Sequence, residues 1–314
     1  MKTKIFSMML FVAAALVSCS KDDDTTASSS TTTTTTTSST TSWTNVAYAS
    51  VSSAQKMDIY LPSTGLAQYP VVVYIHGGAF LMGDKAASTD VATIQKIVAQ
   101  GIAVASINYR LSSEAQYPAQ IKDVKAAIRF LKANAATYKI NPEKVASWGG
   151  SAGGCLSALA GTTAGVAELE GGELGNSSFS SRVVASVDWF GPIEFLTMDA
   201  QAAAQGFTIS TNSATSPESK LIGAAIQTVP DATNKANAMK YITADDAPFY
   251  IQYGTADVNI PAMQNVNLYS ALLPVLGTDN VKIDVLQGAG HGGSAFNTDE
   301  NILKLVTFLK KYLN

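Results

Sequence analysis

Cysteine is scarce in this 314-residue chain, which carries Cys19 and Cys155 and no others, and histidine is as scarce, with His76 and His291 alone. One cysteine near the front and one in the body cannot form a disulfide framework, so a fold built from this sequence is held by packing. Basic clusters are missing too: 21 Lys and Arg stand against 24 Asp and Glu, for a net charge of −3. That balance argues against nucleic acid as a partner. No internal repeat is evident, and the apolar run at the front, Ile5 to Val17, is short for a bilayer span.

What is present divides the chain into three parts. Lys2 and Lys4 precede the apolar run, which ends in "LVSC" at residues 16–19, so residues 1–18 read as a signal peptide and not as a transmembrane helix. Leu16-Val17-Ser18-Cys19 resembles the lipobox of bacterial lipoproteins, which implies that Cys19 is lipidated and that the chain is held on a membrane by that anchor. "SKDDD" at residues 20–24 is similar to the acidic export signal of surface lipoproteins in some Gram-negative bacteria, so the expected location is the outer membrane, facing outward. From residue 25 to 42 every residue but Ala27 is serine or threonine, and residues 19–42 therefore read as a flexible tether. The globular body is expected from Trp43 to Asn314, and a content of 46% hydrophobic residues supplies its core.

Within that body, short runs rich in valine and isoleucine alternate with helical patterns. Residues 71–77, 102–110, 144–150, 183–191, 248–254 and 281–288 read as strands, and residues 87–99, 118–136, 152–161, 261–273 and 298–313 as helices. The strands are continuously apolar, which marks a sheet covered on both faces and so a mostly parallel one. Residues 45–62 alternate weakly and suggest one or two antiparallel strands opening the sheet. The expected fold class is α/β, a doubly wound, mostly parallel sheet with helices on both faces and functional residues at the carboxyl ends of the strands. Residues 162–182 and 192–247 are too long for ordinary connections and are candidates for a cap over the site.

"GGSAG" at residues 149–153 follows a strand and precedes a helix, the context in which a G-x-S-x-G turn presents its serine as a nucleophile. Glycine-rich loops occur without catalysis, so the reading of Ser151 depends on the rest of the chain. A serine hydroxyl needs a base to take its proton. Where nucleophile, acid and histidine follow one another in sequence, only His291 in "GAGHGG" can serve, since it alone of the two histidines follows Ser151. The acid must lie between them at a strand end. Asp257, three residues past Gly254, fits best; Asp188 and Glu194 are rivals, whereas Asp245, Asp246 and Asp284 sit at the wrong end of a strand or inside one.

The other histidine opens "HGGAF" at residues 76–80, which closes a strand and resembles the HGGG-type oxyanion motif of lipases and esterases. On that resemblance the backbone N–H donors are those of Gly78, Ala79 (with Gly77 as the neighbouring alternative) and Ala152, and His76 is structural. Taken together, "YIHGGAF", "NYRLSSEAQYPAQIKDVKAAIRFLKANA", "GGSAGG", "GTADVNIP" and "GAGHGG" resemble the α/β-hydrolase esterases related to hormone-sensitive lipase, especially the bacterial acetyl-esterase and feruloyl-esterase-like branch, over residues 55–313. The resemblance implies the α/β-hydrolase fold and hydrolysis of carboxylic esters, with no cofactor and no metal. Substrates expected from it are short acyl, acetyl or feruloyl esters of polysaccharides met outside the cell. A broad short-chain carboxylesterase or lipase is the enzymatic rival, and an inactive glycan-binding lipoprotein the non-enzymatic one. Ala79 stands where the family often has a third glycine, which leaves the backbone N–H intact; Arg110, Pro118 and Asp123 match the family and are read as architectural.

Overall fold

The computed structural model describes residues 41–314. The signal peptide, Cys19 and the tether up to residue 40 lie outside the described residues. Eight strands form one sheet: β1 (Thr41–Ala47), β2 (Lys56–Tyr60), β3 (Tyr69–Ile75), β4 (Ala103–Ile107), β5 (Ile140–Gly150), β6 (Ser186–Trp189), β7 (Phe249–Gly254) and β8 (Val281–Leu286), in the order β1-β2-β4-β3-β5-β6-β7-β8. The β1–β2 and β2–β4 pairs are antiparallel, and every pair from β4 onward is parallel. Each strand read from the sequence is found, and the weakly alternating opening stretch supplies the two antiparallel ones. The first strand begins at Thr41, so it takes the last two residues of the expected tether into the sheet. Threonine suits an extended, pleated backbone once a partner strand is available, and β2 supplies one.

The helices before β6 are α1 (Ser88–Ala99), α2 (Ala119–Ala133), the single turn α3 (Ala135–Tyr138), α4 (Ala152–Thr162) and the single turn α5 (Ala167–Glu170). After β6 come α6 (Met198–Ala204), α7 (Pro217–Ile222), α8 (Pro230–Asn234), α9 (Ala262–Leu276) and α10 (Asp299–Leu313). The helix expected over residues 118–136 is divided at Asn134, whose side chain donates to the Phe130 carbonyl at 2.8 Å and so competes with the helical ladder.

Alternate residues of the strands face opposite ways and build two cores. Val71, Val73 and Ile75 of β3 belong to the core that holds Ile121 and Val124 of α2 and Leu156 and Leu159 of α4, and that continues along the sheet to Leu268 and Leu272 of α9 beside β7 and β8. Val72 and Tyr74 of the same strand pack with Ile94 and Ile97 of α1 and with Leu305 and Leu309 of α10. The chain leaves β3 for β4 on one side and returns across it to β5, so the ends of β3 and β5 flank the switch point where doubly wound sheets hold their ligands.

Of the two long connections, only residues 192–247 reach the cleft at this switch point. The shorter one, residues 162–182, packs away from it, against α2. Lys125 and Arg129 of α2 are buried, with Lys125 paired to Glu170 at 2.8 Å, while the Arg129 guanidinium donates to the carbonyls of Glu170 (2.6 Å) and Gly171 (2.7 Å). A buried guanidinium that caps carbonyls pins this segment to the scaffold. Its length reflects that architectural role, and the expectation of a cap there is corrected.

Candidate active site

β5 ends at Gly150 and α4 begins at Ala152, so Ser151 alone makes the turn, at φ 58° and ψ −124°. Such a backbone is costly for a residue with a side chain and persists only where its surroundings enforce it. Two glycines allow the close approach. A Cβ on Gly149 would lie 2.2 Å from the Gly153 carbonyl oxygen, and one on Gly153 would lie 2.0 Å from that of Ile75. The Ser151 N–H donates to the Trp189 carbonyl at 2.9 Å, which ties the turn to the end of β6.

The structure brings Ser151, Asp257 and His291 together. His291 Nε2 lies 2.9 Å from Ser151 Oγ, and its Nδ1 lies 2.7 Å from Asp257 Oδ2. The carboxylate can only accept when ionised, so its partner Nδ1 carries the proton, and Nε2 is left to accept from the serine hydroxyl. Asp257 is oriented in turn: Oδ1 accepts the N–H groups of Asn259 at 2.8 Å and Ile260 at 2.9 Å, which leaves Oδ2 for the imidazole. The loop carrying His291 is fixed at its far end, where Asn301 donates to the Phe296 carbonyl at 2.8 Å and pairs with the buried Gln252 of β7.

Neither rival acid bonds to the histidine. Glu194 accepts from the Thr197 hydroxyl at 3.1 Å. Asp188 is fully buried beneath the turn, where Oδ1 accepts the Gly191 N–H at 3.0 Å and packs against Gly154. Burial pushes the Asp188 carboxyl from its ordinary 3.8 up to about 7. Because the folded value is raised, the folded chain holds a proton that the unfolded chain has lost, and the resulting stability disappears as pH rises from about 4 to about 7. Within that window wild-type stability is expected to fall by about 1.4 kcal/mol per pH unit relative to Asp188→Asn, measured as denaturant midpoints at pH 5, 6 and 7. Parallel pH profiles for the two proteins would show that Asp188 does not titrate there.

The opposite wall follows β3. Gly77, Gly78 and Ala79 all line the cleft, and a Cβ on Gly77 would lie 3.4 Å from Ser151 Cβ, so this loop runs in contact with the serine. The Gly78 carbonyl accepts the N–H groups of Leu81 (3.0 Å) and Met82 (3.1 Å), and Ala79 and Phe80 adopt left-handed backbones at φ 55° and 60°. Ala79, where a glycine would be unstrained, costs about 1 kcal/mol in that conformation. The Ala152 N–H opens α4 and has no acceptor within its helix. His76 faces away from the chemistry. It is buried, stacks on Tyr109 at 4.4 Å and donates from Nδ1 to the Gly77 carbonyl at 2.7 Å, and burial holds its basicity below the usual histidine value. Arg110 and Asp123 form a bidentate pair, Nε donating to Oδ2 at 2.9 Å and Nη2 to Oδ1 at 2.8 Å, with Gln55 donating to Asp123 at 2.7 Å.

Phe190 is a site residue that the sequence did not disclose. It follows β6 at φ 42°, a strained value for an aromatic residue, and its ring packs edge-to-face on His291 at 4.8 Å and on Phe296 at 4.6 Å. A Cβ on Gly150 would lie 3.1 Å from this ring, so Phe190 is wedged between the serine turn and the histidine. Replacing it with leucine removes the wedge while keeping an apolar side chain. Phe190→Leu is expected to lower kcat on a short p-nitrophenyl ester by ten- to a hundredfold, roughly the cost of a 1 Å misplacement, with KM changed little. Steady-state kinetics beside a melting curve check this, and an unchanged kcat would show that the ring does not hold the imidazole.

The cleft encloses about 850 Å³ and has two unlike walls. One is aromatic, with Tyr74, Trp189, Phe190 and Phe296 beside Asp90. The other comes from the long connection after β6 and presents Met198, Ile209, a run of serines and threonines, and Glu218.

A mostly parallel eight-stranded sheet covered on both faces, with serine, aspartate and histidine converging after β5, β7 and β8, defines an α/β-hydrolase. The chain belongs to the BD-FAE family, whose model matches residues 57–272. A solved structure described as a truncated form of a carbohydrate esterase from gut microbiota is 35% identical, with a TM-score of 0.79 over 88% of this chain and 97% of that one. A bifunctional GH43-CE of Bacteroides eggerthii is 36% identical at the same TM-score of 0.79, over 87% of this chain and 35% of that one. Esterase LipC of Mycobacterium tuberculosis is 30% identical over 223 residues, which are 71% of this chain and 53% of that protein. The chain thus spans about half the length of the curated relatives it matches.

Proposed function

We propose that this protein is a serine-dependent carboxylic ester hydrolase that works through an acyl-enzyme, on short acyl, acetyl or feruloyl esters of polysaccharides. The observation that carries the reading is the continuous hydrogen-bonded line from Ser151 Oγ through His291 to Asp257, facing the Gly77–Ala79 loop. In this reading Ser151 Oγ attacks the ester carbonyl as its proton passes to His291 Nε2, and Asp257 stabilises the imidazolium that forms. The oxyanion of the tetrahedral intermediate is held by the N–H groups of Gly78, Ala79 and Ala152, each worth about 3 to 4 kcal/mol in the transition state. Collapse breaks the bond to the alcohol oxygen, which takes the proton from His291. A water molecule then gives a proton to His291 and attacks the acyl carbonyl; the second tetrahedral intermediate collapses by breaking its bond to Ser151 Oγ, which takes that proton back from His291 as the carboxylic acid leaves.

The polysaccharide part of the proposal is supported by the two solved relatives described as a carbohydrate esterase and as a bifunctional GH43-CE. The broader carboxylesterase reading is supported by the mycobacterial relative, named only as an esterase. Hydrolysis of p-nitrophenyl acetate, butyrate and octanoate, followed by product profiles on acetylated and feruloylated xylan fragments, separates them. Release from the xylan fragments at rates comparable with p-nitrophenyl acetate supports the polysaccharide reading, and activity confined to the p-nitrophenyl esters contradicts it. We also propose that the enzyme is exported and anchored in the outer membrane by lipid on Cys19. Mass spectrometry of the mature N-terminus tests this, and an unmodified residue 19 would refute it.

A further inference from the structure

The long connection after β6 brings into the cleft a carboxyl group that the esterase mechanism does not use. Glu218 lies in the first turn of α7, lines the cleft, and is 7% exposed. Among the described residues no lysine, arginine or histidine pairs with it. The donors beside it are the Ser216 hydroxyl and its own N–H. The other carboxylate nearby, Asp199, is already occupied, accepting from the N–H groups of Thr211 at 2.7 Å and Asn212 at 3.2 Å. Ser210, Ser213, Thr215 and Asn259 complete this wall.

A buried carboxyl with no countercharge is costly unless donors reach it. Burial raises the Glu218 carboxyl only to about 6, so near neutral pH it is mostly ionised and accepts hydrogen bonds without donating them. An acetyl or other unsubstituted acyl chain offers it no donor, a feruloyl group offers a single phenol hydroxyl, and a simple alcohol leaves with none to spare. A sugar ring beside the scissile oxygen offers adjacent hydroxyls that match two carboxylate oxygens.

Building on the esterase reading, we infer that Glu218 and the hydroxyl-lined wall around it form the subsite for the polyhydroxylated alcohol part of the ester, a sugar ring next to the acylated oxygen. Glu218 is there a substrate-binding group acting on the ground state and transition state alike, so its effect falls on KM.

The test keeps the acyl group constant and varies the alcohol: monoacetylated xylobiose, cellobiose and mannobiose against ethyl acetate and acetylcholine. In Glu218→Gln, KM for at least one disaccharide acetate is expected to rise about tenfold, the loss typical of a hydrogen bond to a charged group, with kcat and the ethyl acetate rate held within about twofold. Equal losses on all esters, or no loss on any, overturn the inference, as does a wild-type preference for acetylcholine, which would make Glu218 a cation site. Should the variant fail to fold, the same three free disaccharides are tested as inhibitors of ethyl acetate hydrolysis by the wild type. Competitive inhibition supports the subsite, and none up to their solubility overturns it. A wild type inert toward every ester in the set refutes the esterase reading itself, which separates the two failures.

Discussion

Replacing Ser151 with alanine is expected to lower kcat on p-nitrophenyl acetate on the order of a millionfold, with folding unchanged. The size follows from what the hydroxyl does. Without it no acyl-enzyme forms, and the remaining groups can only polarise the carbonyl toward water. Gly78, Ala79 and Ala152 keep their N–H groups in the variant, so a residual rate about 10³- to 10⁴-fold above the uncatalysed one should survive. Alanine also keeps a Cβ on the left-handed backbone at φ 58°, so the strain of the turn is unchanged and a melting curve should superimpose on the wild type. Equal rates for the two proteins would remove the serine from the chemistry.

Asp257→Asn is expected to cost about 10⁴ in kcat, by analogy with the corresponding change in serine proteases. Oδ1 binds two backbone N–H groups, which an asparagine carbonyl oxygen can also do, so the amide nitrogen is directed at His291 Nδ1. Facing a donor, Nδ1 must accept, the proton moves to Nε2, and the ring can no longer take the serine proton. The loop is preserved and the tautomer is wrong. Steady-state kinetics on p-nitrophenyl acetate check this, and a loss under tenfold would direct attention to Asp188 or Glu194.

Much of this arrangement is legible in the sequence. Buried parallel strands are continuously apolar, so residues 71–77 or 144–150 announce themselves, and the glycines after them mark where the chain turns over the sheet edge. With only two histidines in the chain, and one of them ahead of Ser151, His291 is the one candidate base in that order. Position past a strand end distinguishes Asp257 from the other carboxylates, and it is Asp257 that lies against His291.

Other features depend on contacts between distant segments and leave no periodic trace. Phe190 looks like one more aromatic residue at a strand end; its role arises from the convergence of Gly150, His291 and Phe296 around its ring. The connections 162–182 and 192–247 are alike in sequence as long irregular stretches, yet the first is held down by Arg129 and the second forms a wall of the cleft. Glu218 was hidden for the same reason, since burial of a carboxyl in irregular structure has no local signature.

The central claim is that Ser151 carries the acyl group during turnover. Rapid mixing with p-nitrophenyl acetate, acid quenching during the pre-steady-state burst and mass spectrometry of the digested protein test it directly. The account predicts a burst of p-nitrophenol approaching one equivalent per active site and a single acetyl group on the peptide containing Ser151, both absent from Ser151→Ala. Acetyl on a different residue, or full turnover by the alanine variant, would contradict it.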